Sequence, residues 1–457
     1  MHTIPIADGG DSDTENKQQD DISGIILTDQ QQDSVEMVLN NQLSILTGGP
    51  GTGKTTTIKE IIKQAKSRGL IIELCAPTGK AAKRMMEATG GFACTIHKLM
   101  EPQVGDNGIF YFTKNEINQI KTGLVIVDEV SMVTNNLMAD FLKAINIKTK
   151  ILLVGDKGQL PSVGPGAVLR DLLKTGIIPT INLTKIHRSA GDIAFACQKI
   201  EHGKVYKPSD SLDLDAIPPK NLRHIEVSTP EAIQSVIKKL VSENLSGRGY
   251  DPTWDVQIIS PMNSRTNLSC QDLNFEMQKI LNHDAKKMNG TSFCIADKVI
   301  NTKNKIMPAV HNKDELIVNG DIGYIIMDPK AESKEHYFIK SRTLCVNFIN
   351  PDRQVYVERR ANSLLHAYAI TCHRMQGSEA PVIVIPVHNT FGPFVNRSWI
   401  YTAISRAKEI CITVGRFKAI ESAIHRIDSQ KRKTLLTEKI MSMYKEDSFL
   451  ELQLQCI

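Results

Sequence analysis

The eight residues Gly48-Gly-Pro-Gly-Thr-Gly53-Lys54-Thr55 constrain this chain more than any other stretch. They fit the pattern GxxxxGK followed by Ser or Thr in full. The apolar run Leu43–Leu46 precedes them. A helical pattern follows from Thr55 to Lys66, in which Ile58, Ile61, Ile62 and Ala65 fall on one face. Strand, glycine turn and helix in that order form a phosphate cradle, because glycines let backbone N–H groups turn inward and the helix N-terminus adds a partial positive charge. The candidate phosphate site is Gly48, Gly49, Pro50, Gly51, Thr52, Gly53, Lys54, Thr55 and Thr56. Lys54 has the reach for the β- and γ-phosphates of ATP, and the Thr55 hydroxyl suits Mg²⁺.

Other short apolar runs recur at Leu70–Cys75, Leu124–Val127, Ile151–Val154, Val256–Ile259, Val382–Ile385 and Ile410–Val414. Such runs suit strands buried on both faces, hence parallel sheets covered by helices. They fall in two blocks, and 457 residues exceed what one core organises, so two α/β lobes are expected. Two stretches break the alternation. Around 101–121, Gly105-Asp106-Asn107-Gly108 followed by Ile109-Phe110-Tyr111-Phe112 reads as a hairpin inserted in the first lobe. Around 297–362, Asn319-Gly320 and Asp321 with short apolar runs on both sides read as a small antiparallel insert in the second.

Leu124-Val-Ile-Val-Asp128-Glu129 reads as a buried strand ending in two carboxylates beside the phosphate loop. Asp128 is placed to hold the metal ion or its water, and Glu129 to polarise an attacking water. Gln159, in Gly155-Asp-Lys-Gly-Gln159, follows the next strand, where its amide suits both water and a γ-phosphate; a solvent-facing loop amide is the alternative.

Charge is uneven. Residues 1–24 carry Asp8, Asp11, Asp13, Glu15, Asp20 and Asp21 against Lys17, a net of −5, so a chain of +5 has a body of +10. The leader is expected to be disordered, and the basic body suits a polyanion. Apolar residues at 41% and charged residues at 23% exclude a disordered, collagenous or coiled-coil chain. No apolar run is long enough to span a membrane. The nine cysteines contain no CxxC, which points to reduced thiols in a cytoplasmic protein rather than a disulfide frame or zinc site.

Nine strings in one order resemble the RecD-like and Dda-like branch of the superfamily 1 helicases. They are Leu27-Thr-Asp-Gln-Gln31, Thr47 to Thr55, Ala76-Pro-Thr-Gly-Lys-Ala-Ala82, Thr95-Ile-His97, Val127 to Met132, Gly155 to Pro161, Leu183-Thr-Lys-Ile-His-Arg188, Ala369 to Glu379, and Tyr401 to Ala407. The resemblance implies two RecA-like P-loop NTPase lobes, residues 25–175 and 176–457, with ATP in the cleft between them. It implies a pin at the hairpin, an SH3-like barrel at the second insert, and 5′→3′ movement on single-stranded DNA. It places Gln31 on adenine, Arg188 and Arg406 on the γ-phosphate, and Glu379 near the nucleotide sugar.

For DNA the resemblance implies Pro77, Thr78, Thr95 and His97 in the first lobe and Pro261, Asn263, Thr371, His373 and Arg374 in the second. Hydroxyls, imidazoles and arginine suit a groove that tracks a backbone without reading sequence. Phe110 and Phe112 are the expected stacking face of the pin, with Tyr111 on the opposite side of the strand; the alternative is that these aromatics form the hairpin's own core. The implied protein is a monomer acting on single-stranded and forked DNA, with single-strand-binding or replication proteins as partners. A translocase or RNA remodeller of the same fold, and a non-catalytic DNA loader, are the alternatives.

Overall fold

The short, largely apolar runs become the central strands of two parallel sheets. The protein is described by a computed structural model for residues 27–455 except 105–109, 188–190, 289, 312–313, 332–341, 350–351, 360–361 and 428–431. The acidic leader, Arg188 and the hairpin tip lie outside the described residues.

The first sheet comprises β1 (Leu43–Gly48), β2 (Ile72–Ala76), β3 (Ala93–Thr95), β6 (Leu124–Val127), β7 (Lys150–Gly155) and β8 (Thr180–Leu183), in the order β3-β2-β6-β7-β1-β8. All neighbours are parallel. Alternate residues of β6 feed opposite faces: Val125 and Val127 join Ile45 and Phe141, while Leu124 and Ile126 join Ile58 and Ile61. The covering helices are α1 (Asp29–Asn40), α2 (Lys54–Ser67), α3 (Gly79–Thr89), the single turn α4 (Ile96–Leu99), α5 (Asn135–Ala144) and α6 (Val168–Thr175). Threonines start several of them. Thr28 and Gln31 close a capping box on α1, Thr78 Oγ1 accepts from Ala81 N, and Thr134 Oγ1 from Leu137 N. The sheet takes its last strand, β8, from beyond residue 175, so the expected division after that residue falls short of it. Between β3 and β6, β4 (Pro102–Val104) and β5 (Phe110–Phe112) pair antiparallel.

The second parallel sheet is β18-β10-β19-β20-β9, from β9 (Leu222–Glu226), β10 (Val256–Ser260), β18 (Ala369–Thr371), β19 (Ala380–Val387) and β20 (Ala407–Gly415). Its helices are α7 (Gly191–Glu201), α8 (Pro230–Lys239), α9 (Cys270–Leu281), the short α10 (Cys372–Met375), α11 (Arg397–Ile404) and α12 (Phe417–His425). The last helix, α13 (Leu436–Gln455), returns to the first lobe, where Thr437 Oγ1 donates to the Asp171 carbonyl of α6 at 3.0 Å.

The insert between β10 and β18 is a five-stranded antiparallel sheet in the order β16-β15-β14-β11-β17. Its strands are β11 (Lys298–Asn301), β14 (Ile322–Ile326), β15 (Thr343–Phe348), β16 (Arg353–Glu358) and β17 (Leu364–His366); a hairpin of β12 (Lys305–Met307) and β13 (Glu315–Ile317) adds to it. Val299, Ile325, Val346, Phe348 and Val355 form its own core. Gly320, at φ +95°, makes the turn from β13 to β14, which pair with different partners.

Lys298 is the unusual core member of this insert. Its Nζ donates to the Thr253 carbonyl at 2.5 Å and lies 5.6 Å from the Trp254 ring. Burial, and then the charge of Lys80, lower its ammonium from 10.5 to about 7. A folded-state value below the unfolded one means that the unfolded chain binds more protons between the two, so this residue's contribution to stability rises with pH across that window. Lys298→Met should therefore raise Tm at about pH 6, with a gain that shrinks towards about pH 9.5. Calorimetry at the two pH values checks this; a loss of Tm at the lower pH would mean that the carbonyls and ring fully compensate the charge.

Candidate active site

The carboxyl ends of first-lobe strands meet the amino ends of second-lobe strands at a cavity of about 440 Å³. The first lobe supplies the phosphate loop, Asp128 and Glu129 after β6, and Asp156 and Gln159 after β7. The second supplies Ile193 and Ala194 of α7, Glu379 before β19, and Ser405 and Arg406 at the corner from α11 to β20. Gly49 through Thr55 line it directly; Thr56 sits one position further along α2. Lys54 Nζ donates to the carbonyls of Gly48 at 2.5 Å and Gly49 at 2.9 Å, so its ammonium rests inside its own loop. Gly53 has φ +84°, and a Cβ there would lie 2.3 Å from Gln31 Nε2, so the loop tolerates only glycine at this point.

Asp128 Oδ1 accepts from the Glu129 N–H at 2.7 Å. Burial, and then the neighbouring Glu129 charge, push the Asp128 carboxyl up to about 6. Glu129 sits at φ +52°, a left-handed conformation rarely held by a non-glycine residue. That turn aims its carboxylate into the seam, where Oε1 lies 3.9 Å from Arg406 Nη1 and 3.8 Å from Arg84 Nη1.

Arg406 is 2% exposed. Its Nε donates to the Thr402 carbonyl at 3.3 Å and Nη1 to the Ser378 carbonyl at 3.5 Å. The second lobe thus presents a buried guanidinium to the first lobe's acidic pair. Glu379 lines the same cavity but is held by Arg84 Nη2 at 2.5 Å, an ion pair between α3 and the second lobe. Gln159 Nε2 donates to Asp156 Oδ2 at 3.5 Å, and its Oε1 is buried without a partner. Burial raises the Asp156 carboxyl, against the opposing pull of Lys54.

Gln31 does not turn its amide into the cavity. It is 2% exposed; Oε1 accepts from Thr28 N at 2.9 Å, and Nε2 donates to the Gly53 carbonyl at 3.4 Å. The reason is local: Gln31 is the third residue of α1, where the capping box claims its side chain. Its contact braces the phosphate loop from behind.

The residues expected on DNA gather at one end of both sheets. Pro77 and Thr78 follow β2; Thr95 ends β3 and His97 follows it. Pro261 and Asn263 follow β10; Thr371 ends β18, and His373 and Arg374 follow it. β3-β2 and β18-β10 are the corresponding ends, and the nucleotide cavity lies at β6, β7, β1 and β20. The two ends touch, since a Cβ on Gly377 would lie 2.9 Å from Thr78 Oγ1. Burial lowers both His97 and His373, which leaves their imidazoles neutral near pH 7. In the hairpin, Phe112 turns inward against the first-lobe core and lies 6.0 Å from the His97 ring. Tyr111 points out and is 51% exposed. Alternation is kept but its sense is reversed for these two rings, because the base of the hairpin packs on the lobe. The side chain of Phe110 lies outside the described residues.

Arg84, Asp156, Tyr401 and Lys408 also belong to this region and receive no role from the sequence, although Asp156 and Tyr401 fall within two of the quoted strings. Arg84 looks like an ordinary helix-surface cation; its only signal is the run Lys80, Lys83, Arg84 on one face of α3. Tyr401 lies in an apolar helix and reads as core.

Residues 26–215 match a family model described as an AAA domain, and residues 366–414 match the UvrD-like helicase C-terminal domain. The ATP-dependent RecD2 DNA helicase of Deinococcus radiodurans is 33% identical over 421 residues, which is 91% of this chain and 52% of that protein. The chain therefore spans about half that relative's length. The RecBCD enzyme subunit RecD of Mycolicibacterium smegmatis is 26% identical over 428 residues, covering 87% of this chain and 73% of that one. A solved structure of the Pif1 helicase from Candida albicans aligns at 19% identity with a TM-score of 0.46, over 92% of this chain and 99% of that one. With a phosphate loop and acidic pair in its N-terminal half and the helicase C-terminal module supplying the facing arginine, the chain belongs to the RecD-like branch of the superfamily 1 helicases.

Proposed function

We propose that the chain hydrolyses ATP to move 5′→3′ along single-stranded DNA and to separate forked duplex. One observation carries this reading: Glu129 behind a phosphate loop lies 3.9 Å from a buried arginine delivered by the other sheet. A pure binding module needs no carboxylate aimed at the seam. The polarity rests on the family branch.

In this reading Lys54 exchanges its two loop carbonyls for the β- and γ-phosphates. Glu129 accepts the proton of the attacking water, and Arg406, with Arg188, stabilises charge on the transferring phosphoryl group. Thr55 and Asp128 are the residues that would hold a magnesium ion, which takes one or two protein oxygens and keeps waters and phosphate oxygens for the rest. The raised Asp128 carboxyl fits that role, because a nearby cation restores its charged form. The ion would neutralise phosphate charge there. Bound ATP touches both lobes and so favours their closed arrangement. Single-stranded DNA would lie across Thr78, Thr95, His97, Asn263, Thr371, His373 and Arg374. Turnover measured with and without single-stranded DNA tests the whole reading: stimulation is expected, and turnover indifferent to DNA would remove the motor. Equal unwinding of RNA forks would remove the DNA preference.

We assign the pin's contact ring to Tyr111. Base stacking on an aromatic ring is worth ~1–3 kcal/mol, comparable with ~1.4 kcal/mol for opening one base-pair step. Tyr111→Ala should therefore lower the rate of fork unwinding about tenfold and leave DNA-stimulated hydrolysis within about twofold. Equal loss of both activities would reject the assignment.

A further inference from the structure

The second lobe reaches the nucleotide site with a second group besides Arg406. Tyr401, in α11, is 1% exposed. Its hydroxyl donates across the seam to the Asp156 carboxylate, at 2.9 Å from Oδ1 and 2.8 Å from Oδ2. Two glycines let it approach. A Cβ on Gly158 would fall 2.7–2.9 Å from three atoms of the tyrosine ring, and one on Gly49 would lie 3.1 Å from the hydroxyl. The same helix is tied to the β7 loop again, where Leu160 N donates to Thr402 Oγ1 at 2.8 Å.

Asp156 is thus held on three sides. Oδ1 accepts from Gly158 N at 3.0 Å, Oδ2 from Gln159 Nε2 at 3.5 Å, and both from Tyr401. An ionised carboxylate only accepts, so the NH₂ end of the Gln159 amide must face it and the oxygen must face the other way. That oxygen is the buried, unpartnered Oε1, in a residue lining the nucleotide cavity. A lone buried acceptor calls for a donor. A water O–H meets that need; a phosphate oxygen, itself an acceptor, does not.

We propose that Tyr401 is a positioning residue, which through Asp156 turns the Gln159 amide so that its oxygen accepts a hydrogen bond from the attacking water. This rests on the ATP-hydrolysis reading above and narrows it. Gln159 aligns the nucleophile rather than gripping the γ-phosphate, and it does so only while the second lobe is seated against the β7 loop. Hydrolysis thereby becomes conditional on lobe apposition through a neutral hydroxyl as well as through a guanidinium.

The test is a double-mutant cycle on the full chain with saturating single-stranded DNA. Tyr401→Phe should lower kcat about 10- to 100-fold and leave KM for ATP within about threefold, since a hydrogen bond to a charged group is lost without any contact to the nucleotide. Gln159→Ala should lose as much. The double variant Tyr401→Phe/Gln159→Ala should be no worse than Gln159→Ala alone, because both changes remove one alignment. Losses that multiply, or an unchanged kcat in Tyr401→Phe, would overturn the proposal. If the melting temperature shows Tyr401→Phe to be misfolded, Asp156→Asn takes its place in the cycle with the same expectations. A wild-type chain without ATP turnover would sink the hydrolysis reading itself. A wild type that turns over beside a Tyr401→Phe variant of equal kcat would sink the positioning role alone.

Discussion

Replacing Lys54 by alanine should bring ATP turnover close to background, a loss of about 10²–10³-fold or more, while the fold stays intact. Both halves of this expectation come from what the ammonium touches. Its two hydrogen bonds go to the Gly48 and Gly49 carbonyls of its own loop, and no carboxylate lies within ion-pairing distance of it among the described residues. Gly49 lines the cavity, so water can replace the ammonium there when it is removed, at a cost near that of an ordinary exposed hydrogen bond. The nucleotide site fares differently. In the proposed reading Lys54 is the cation that reaches the phosphates from the loop side, and charge developing on the transferring group would have no substitute there. Steady-state turnover and a melting curve on the same sample separate the two effects. Turnover within a few-fold of wild type would exclude the phosphate loop as the hydrolytic site. A collapsed melting temperature would instead make Lys54 a structural residue.

Long buried strands and sequence-local motifs were legible in the chain; groups brought together by packing were not. Leu124–Val127 reads directly as β6 because all four of its residues are buried on the two faces of the sheet. Asp128 and Glu129 follow it without a break. By contrast, the edge strands β3 and β18 are three residues long, and β8 has a single fully buried residue, so neither length nor apolar content marks them. That is why the end of the first sheet, at Leu183, lay beyond the expected lobe boundary. The glutamine at position 31 carries the right spacing for a base contact, yet the same spacing makes it a capping residue, and the capping box holds it. Tyr111 and Phe112 alternate as any strand does, but which ring faces out depends on where the lobe lies beneath the hairpin. Arg84 and Tyr401 acquire much of their meaning from Glu379 and Asp156, 295 and 245 positions away. No local pattern encodes such a separation.

Arg406→Lys should lower the rate of the hydrolytic step about 10³-fold and leave ATP affinity nearly unchanged. Lysine is the sharper substitution here. Alanine would leave a void where a buried guanidinium stood and take from Glu129 one of its two cationic neighbours, so lost folding and lost chemistry would be mixed. Lysine keeps the charge but gives up the planar fork. In the native arrangement that fork divides its labour: Nε holds the Thr402 carbonyl at 3.3 Å, while Nη1 bonds the Ser378 carbonyl at 3.5 Å and faces Glu129 at 3.9 Å. An ammonium that keeps one backbone carbonyl cannot also point at the transferring phosphoryl group. What is lost is aim rather than charge, and aim matters in the transition state far more than in the bound ground state. Single-turnover hydrolysis together with equilibrium binding of a fluorescent ATP analogue distinguishes the outcomes. Slow chemistry with intact binding makes Arg406 a transition-state group. Weakened binding with normal chemistry would make it a ground-state clamp, and the seam would then gather nucleotide without driving its cleavage. The comparison with Tyr401→Phe adds a further division, since both residues come from the same helix and its corner. A change in how α11 sits would slow both variants by similar amounts, whereas a guanidinium acting on the phosphoryl group requires the arginine variant to be at least about tenfold slower than the tyrosine one.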